Sequence, residues 1–178
     1  MVTRGNGRLT VVPGTSAPSG RGMATTYVVE VEGALGIDPV EFVAAVEQSL
    51  ADPRSWGAGG RRVLQRVDTG TPDLRVALVS PATTDRLCAP LRTGGYYSCA
   101  NGDRAVLNAA RWLTGAPSYA GHLDDYRAYL VNHEVGHTLG FRHTTCPGTG
   151  TRTGQPAPVM LQQTMGLGGC ARGPWPYP

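Results

Sequence analysis

The string His133-Glu134-Val135-Gly136-His137-Thr138-Leu139-Gly140-Phe141-Arg142-His143 constrains this chain more than any other feature. It reads H-E-x-x-H-x-x-G-x-x-H. On a helix, residues four apart project from one face a turn apart, so His133 and His137 can reach one ion at about 2.0–2.1 Å. Gly140 accepts positive φ at low cost and lets the chain reverse, which would bring His143 back toward the same ion. Three imidazoles leave the fourth tetrahedral position open to water, as in catalytic zinc sites. Glu134 follows the first ligand and is placed to touch that water, not the metal. Zinc lowers the pKa of such a water to about 7 and polarises a carbonyl, and a carboxylate can move the proton to a leaving amine. The expected cofactor is Zn2+ and the expected reaction is hydrolysis of a peptide bond. Three of the four histidines lie in this string, and nothing structural requires a carboxylate at 134.

The rest of the chain supplies a scaffold of short elements. Leu123 to Leu139 reads as the helix carrying the string, with Asp124 and Asp125 in its first turn, where the dipole favours carboxylates. Ala128, Val131, Val135 and Leu139 share one face at helical spacing, opposite the imidazoles. Gly140 suits a left-handed cap. Upstream, Thr25 to Val31 is β-branched and alternating, which predicts a strand. Asp38-Pro39 opens a helix whose apolar stripe is Phe42, Val43, Val46 and Leu50, and Asp52-Pro53 stops it. Arg61 to Val67 and Leu74 to Val79 predict two more strands, joined by a turn around Asp68-Thr69-Gly70, and Ala105 to Asn108 a short strand or a bridge into a loop.

Composition excludes several classes. The 178 residues suit one domain, and 40% apolar with 16% charged residues is globular usage. The net charge is +3, and the 16 basic residues, all arginine, are scattered without the dense stripe of a nucleic-acid binder. No run of about 20 apolar residues exists to span a membrane. The N-terminus, MVTRGNGRLTVVPG, lacks the apolar core of a signal peptide, so an exported protein would make this sequence a trimmed piece. The four cysteines form no C-x-x-C pair. Pairing Cys88 with Cys99 and Cys146 with Cys170 closes two Gly/Pro-rich loops and places the domain outside the cytosol. The alternative is four reduced thiols in a cytosolic protein.

The extended histidine motif resembles that of the metzincin clan of metallopeptidases. Members of that clan carry a tight turn with a methionine beneath the zinc. Pro158-Val159-Met160-Leu161, 17 residues beyond His143, fits such a turn, with Met160 as its methionine and Met165 as the competitor. Some members place a tyrosine two residues after that methionine. Here the position is Gln162, so oxyanion help comes from elsewhere or from the Gln162 amide; Tyr126 and Tyr129, at helical spacing, suit packing better. A closer resemblance, to a family of actinobacterial extracytoplasmic domains of unassigned function, rests on Tyr27-Val28-Val29-Glu30-Val31-Glu32, Leu50-Ala51-Asp52-Pro53-Arg54-Ser55-Trp56, Tyr126-Arg127, Asn132 to His137 and Pro158-Val159-Met160. It implies a secreted or membrane-anchored location and a zincin-like fold.

Together these readings predict an α+β, zincin/metzincin-like domain over 25–178, preceded by a flexible arm over 1–24. Its N-terminal part, 25–140, would hold a small twisted mixed sheet and the active-site helix. A loop-rich part, 141–178, would supply His143, the Met160 turn and the Cys146–Cys170 staple. The cleft would run beneath an edge strand able to hold an extended peptide. A protein or peptide substrate is expected; the same zinc chemistry on cell-wall peptides and a non-catalytic, zinc-stabilised binding module are the alternatives. His122 reads as a surface or capping residue and Trp56, Trp112 and Trp175 as core. Asp103, Asp124 and Asp125 are candidate hydrogen-bond partners for a ligating histidine.

Overall fold

A computed structural model describes residues 4–18, 22, 24–57, 62–147 and 154–178. In chain order it contains β1 (Leu9–Val11), β2 (Ala24–Glu32), α1 (Pro39–Ala51), β3 (Val63–Arg66), β4 (Leu74–Val79), α2 (Pro81–Cys88), β5 (Cys99–Asn101), β6 (Arg104–Asn108), α3 (Ala109–Thr114), a 3-10 turn (Pro117–Tyr119) and α4 (Leu123–Thr138). The six strands make one open mixed sheet in the order β1-β2-β4-β6-β5, with β3 also on β2. Strands β3, β2, β4 and β6 run parallel, and β1 and β5 are antiparallel to their neighbours. Tyr27 and Val31 each pair with β4 on one side. On the other side Tyr27 meets β3 and Val31 meets β1, so β1 and β3 share one long edge of β2 end to end.

Alternation along the strands explains the layers. Tyr27, Val29 and Val31 of β2, Leu74, Val76 and Leu78 of β4, and Ala105 and Leu107 of β6 enter the main core with Phe42, Val46 and Leu50 of α1 and Leu130, Val131 and Val135 of α4. The intervening residues Ala77, Val79 and Val106 pack on Cys88 and Cys99 across the other face. Burial on both faces is what a mainly parallel sheet requires. On that second face the buried Glu30 carboxylate joins Arg75 at 2.9 Å and Arg104 at 3.1 Å. The α+β class and the mixed sheet are as expected, and so is α1: Asp38 accepts from Val40 N at 2.8 Å, Pro39 opens the helix, and Phe42, Val43, Val46 and Leu50 are buried.

Three expectations need correction. The segment expected as a flexible arm over 1–24 contributes β1, and the chain after it is strapped down. Val12 N donates to Val29 O at 2.9 Å, Ser16 N to Arg66 O at 3.1 Å, and the Arg66 guanidinium donates to Val12 O and Pro13 O. The alternating Leu9–Val12 run completes the open edge of β2, an enthalpic gain hidden by its Gly-rich surroundings. Next, β3 and β4 are not neighbours across a turn. They lie on opposite edges of β2, and the link between them crosses at Thr26–Tyr27, where Val67 N donates to Tyr27 O and Asp73 N to Thr26 O. Arg61, placed in the expected strand, lies outside the described residues. Finally, α4 is not two-faced: Ala128 to Gly136 are all buried, His133 and Glu134 included. Sheet, α1 and C-terminal loops enclose this stretch, so its polar and apolar residues alike are covered.

Two short helices, α2 and α3, were not anticipated. Ser80 and Asn108 cap them, accepting from Thr83 N at 3.4 Å and Ala110 N at 2.9 Å, but their 8 and 6 residues are too few to show a period. The part after α4 is loop-rich as expected, with two isolated bridges, Thr144 to Leu161 and Pro156 to Ala171. Both cysteine pairs form disulfides, Cys88–Cys99 and Cys146–Cys170, as the loop argument predicts. Among the described residues no helix is long and apolar enough to cross a membrane.

Candidate metal centre

His133 and His137 leave α4 one turn apart, and a glycine-capped reversal delivers His143. Leu139 ends the helix; Gly140 follows at φ +93°. Phe141 N donates to Gly136 O and Gly140 N to His137 O, both at 3.0 Å, the paired bonds of a Schellman cap. Past the reversal, Thr144 N donates to Met160 O at 3.1 Å and fixes the segment that carries His143 beside the 158–161 turn. That turn is closed by Leu161 N donating to Pro158 O at 2.9 Å.

The ligand atoms of His133, His137 and His143 lie within 4.8 Å of one another, and the three side chains can hold a metal ion. His137 Nε2 and His143 Nε2 are 3.0 Å apart, close to the edge of about 3.3 Å set by two 2.0–2.1 Å bonds at a tetrahedral angle. The other ring nitrogens of the two helical histidines are already engaged: His133 Nδ1 meets Val159 O, and His137 Nδ1 meets Phe141 O, each at 2.8 Å. A carbonyl only accepts, so each Nδ1 carries the proton and each Nε2 presents its lone pair to the centre. These partners correct the expectation placed on Asp103, Asp124 and Asp125, which instead face Arg75, Arg127 and His122. A buried α4 puts backbone, not aspartates, within reach of its imidazoles.

Burial sets the charge states. It drives the His133 pKa down to about 3, against the pull of the Val159 carbonyl, with the neighbouring His137 and His143 adding to the depression. His143 is lowered by burial and by His137. A neutral imidazole is the form that ligates. Glu134 is 5% exposed, and burial raises its pKa to about 8. Its Oε2 has no hydrogen-bond partner among the described residues. A buried carboxylate without a partner is costly, and a cation at the three imidazoles offsets that cost. The donor set and the orphaned carboxylate oxygen therefore both fit a divalent metal.

Met160 is the methionine beneath the helix, and Met165, at 65% exposure, sits on the rim. Gly136, between the first two histidines, explains the close approach. A Cβ there would lie 2.5 Å from Met160 Sδ and 2.6 Å from Trp56 Cζ2. Trp56 is locked by Nε1 donating to Asn132 O at 2.9 Å, while Asn132 Oδ1 accepts from Ser55 Oγ at 2.7 Å. Trp56 and Trp112 are core residues, and Trp175 lies under Arg54 with the guanidinium 4.2 Å from its ring.

An open cleft of about 670 Å³ reaches this centre. His133, Glu134, His137 and His143 form its floor with Tyr129 and Gln162, and Leu91, Arg92, Tyr97 and the segment Ser98–Ala100 face them. Gln162 is exposed and lines the cleft. Tyr126 and Tyr129 are packing residues: Tyr126 Oη bonds Thr164 Oγ1 at 3.0 Å, and Tyr129 Oη donates to Leu161 O at 3.1 Å while accepting from Gln163 N at 2.9 Å.

Sequence reasoning missed Gln163. This fully buried amide accepts from Tyr119 Oη at 2.7 Å and Gly173 N at 3.1 Å, and donates to Gly173 O at 2.7 Å and Pro158 O at 3.2 Å. It ties the turn under the site to the C-terminal segment. The three tyrosines 119, 126 and 129 were the available signal, since buried hydroxyls need partners.

The family described as Protein of unknown function (DUF3152) matches residues 1–172. No curated protein and no solved structure matches the chain.

Proposed function

We propose that this chain, which belongs to the DUF3152 family, is a zinc-dependent peptide-bond hydrolase of metzincin-like fold, with His133, His137 and His143 as ligands and Glu134 as general base. The observation that carries the reading is the orphaned Glu134 carboxylate oxygen, buried at the floor of the cleft beside three convergent imidazoles. Such a carboxylate costs stability in the metal-free chain, and neither the three ligands nor the fold requires an acid at this position, which supports a role as base beside the metal.

Bound zinc would supply Lewis acidity toward water and toward a scissile carbonyl. The chain's own residues do the rest. Val159 O and Phe141 O hold the protons on His133 Nδ1 and His137 Nδ1, which fixes both rings in the ligating tautomer. Glu134, ionised once a cation lies beside it, takes a proton from the attacking water and returns it to the leaving nitrogen. Tyr129 Oη is already committed to Leu161 O and Gln163 N, and the Gln162 amide, which lines the cleft with the histidines, can donate to a developing oxyanion. Among the described residues strand β5 has a partner on one side only, and its Cys99 and Ala100 line the cleft, which suits an extended peptide pairing along that edge. Two disulfides support an extracytoplasmic site of action.

Metal analysis together with hydrolysis assays tests this reading. One zinc per chain, cleavage of casein or a peptide library by the wild type and none by Glu134→Gln are expected. Release of new amines from purified peptidoglycan, with casein intact, would assign the same chemistry to a cell-wall enzyme. Bound zinc with no hydrolysis of either substrate would overturn the enzyme reading.

A further inference from the structure

Facing the histidines across the cleft is the loop between α2 and β5, and it is built rigidly. The Cys88–Cys99 disulfide closes its base. Within it, Asp85 Oδ1 accepts from Thr93 Oγ1 and, at 2.8 Å, from Gly95 N. Leu91 N donates to Cys88 O at 2.9 Å, Tyr96 N to Thr93 O at 3.0 Å, and Asn108 Nδ2 to Gly95 O at 3.0 Å. Thr93 is buried, so the backbone that carries its neighbour Arg92 is fixed.

Arg92 lines the cleft, and among the described residues it has no ion pair. Five arginines elsewhere are ion-paired, Arg54 on Asp52, Arg66 on Glu47, Arg75 and Arg104 on Glu30, and Arg127 on Asp124; others, such as Arg62 and Arg142, have no ion pair among the described residues but do not line the cleft. Asp85, on α2 beside the loop, is spent on Thr93 and Gly95. Among the described lining residues Glu134 is the sole carboxylate, and it lies buried at the floor. Arg92 is the sole permanent cation. Leu91, at 59% exposure, and Tyr97, at 37%, flank it with apolar surface, and low-dielectric walls focus the field of a charge in a cleft.

We propose that Arg92 is a specificity-determining residue that reads a carboxylate of the bound peptide, so that this cleft takes acidic peptides. The proposal rests on the hydrolase reading and narrows its substrate class. A planar guanidinium matches a carboxylate with two parallel hydrogen bonds. The carboxylate can belong to an Asp or Glu side chain or to a free C-terminus; the chemistry is shared, and the experiment separates the sources.

The test is a peptide series in which Glu is replaced by Gln at each position around the cleaved bond, each made with a free or an amidated C-terminus. Wild-type enzyme should favour Glu over Gln at one position, or acid over amide at the C-terminus, and which of these occurs names the source. Arg92→Ala should remove that preference, lowering kcat/KM for the acidic peptide about ten- to a hundred-fold with zinc content and the peptide amide rate unchanged. Arg92→Glu should favour Lys at the same position, and Arg92→Lys should restore part of the loss. Equal rates for Glu and Gln peptides with wild type, or a preference that survives in Arg92→Ala, would overturn the proposal. Should the wild type cleave nothing, the hydrolase reading fails instead. Anisotropy of fluorescein-labelled octapeptide pools fixed as Glu or Gln still decides the Arg92 question, because equal affinities for wild type and Arg92→Ala would overturn it.

Discussion

Trp56 stacks on Phe141 with ring centroids 4.4 Å apart and planes 23° apart, and the Phe141 carbonyl is the acceptor that orients His137. The same indole touches position 136 next to Met160 Sδ, one residue from the Val159 carbonyl that orients His133. A single buried side chain thus packs on the residue whose carbonyl meets His137 and beside the helix position between His133 and His137.

Trp56→Ala should therefore weaken metal binding as well as the fold. Loss of a group that orients a ligand's partner typically costs 10–100-fold in metal affinity, and emptying a buried tryptophan site costs about 3–5 kcal/mol of stability. Trp56→Phe keeps a ring on Phe141 and loses only the bond to Asn132 O, so it should retain most of the affinity. Chelator-competition titrations and the absorption spectrum of the cobalt-substituted site measure this. Unchanged affinity and spectrum in Trp56→Ala would leave Trp56 as ordinary core.

The contrast between what sequence shows and what it hides follows the range of the interactions. That His133, His137 and His143 come together, with Glu134 beside them and Met160 under the helix, was legible because these positions are fixed by spacings within one helix, one cap and one turn. α1 was legible from Asp38-Pro39 and its stripe. The carbonyls of Val159 and Phe141 were not, because any residue type offers a carbonyl and only the fold chooses which. Trp56 could be read as core but not as a support for the site, since 85 residues separate it from Phe141. The strapped N-terminal segment was hidden for a similar reason: an edge strand of three residues needs its partner β2 to be recognised.

Glu134→Gln should stabilise the metal-free chain at alkaline pH while abolishing hydrolysis. The folded carboxyl has a pKa of about 8 against an ordinary 4.5. The native state therefore holds a proton that the unfolded state gives up above about 4.5, and stability falls as pH rises from about 4.5 to 8. The neutral amide lacks this limb, a difference of roughly a few kcal/mol at pH 8 that vanishes near pH 4. His133 acts oppositely: with its pKa lowered from 6.5 to about 3, stability is lost as pH falls from about 6.5 toward 3, in both proteins. Thermal melts in chelator across pH 4–8 check both limbs, and coincident wild-type and Glu134→Gln curves at pH 8 would contradict a desolvated carboxylate.

Gly136→Ala sets two effects against each other. Alanine improves a helix interior by about 1 kcal/mol over glycine, but its Cβ would lie 2.5 Å from Met160 Sδ and 2.6 Å from Trp56 Cζ2. Overpacking of a filled core costs about 1–3 kcal/mol, and both neighbours are buried, so repulsion should win. A lower melting temperature with weakened zinc binding is expected; a gain in stability would mean that Met160 can withdraw freely from the helix.

Adjacent glutamines should respond in opposite ways. Gln162 opens on the cleft, and Gln163 is fully buried with four amide hydrogen bonds. Gln162→Ala should leave folding within about 0.5 kcal/mol of wild type, as for surface substitutions. If its amide donates to the oxyanion, kcat should drop about a hundredfold with KM little changed. Gln163→Ala removes partners from Pro158 O, Gly173 O, Gly173 N and Tyr119 Oη at once. Each buried group left unpaired costs about 1–3 kcal/mol, so the turn that carries Met160 and Val159 O should loosen, and zinc affinity should fall with the melting temperature. Melting curves, zinc titration and steady-state kinetics on the pair separate the two roles. A loss of kcat in Gln163→Ala without loss of stability would show that the buried amide, not its exposed neighbour, serves the reaction.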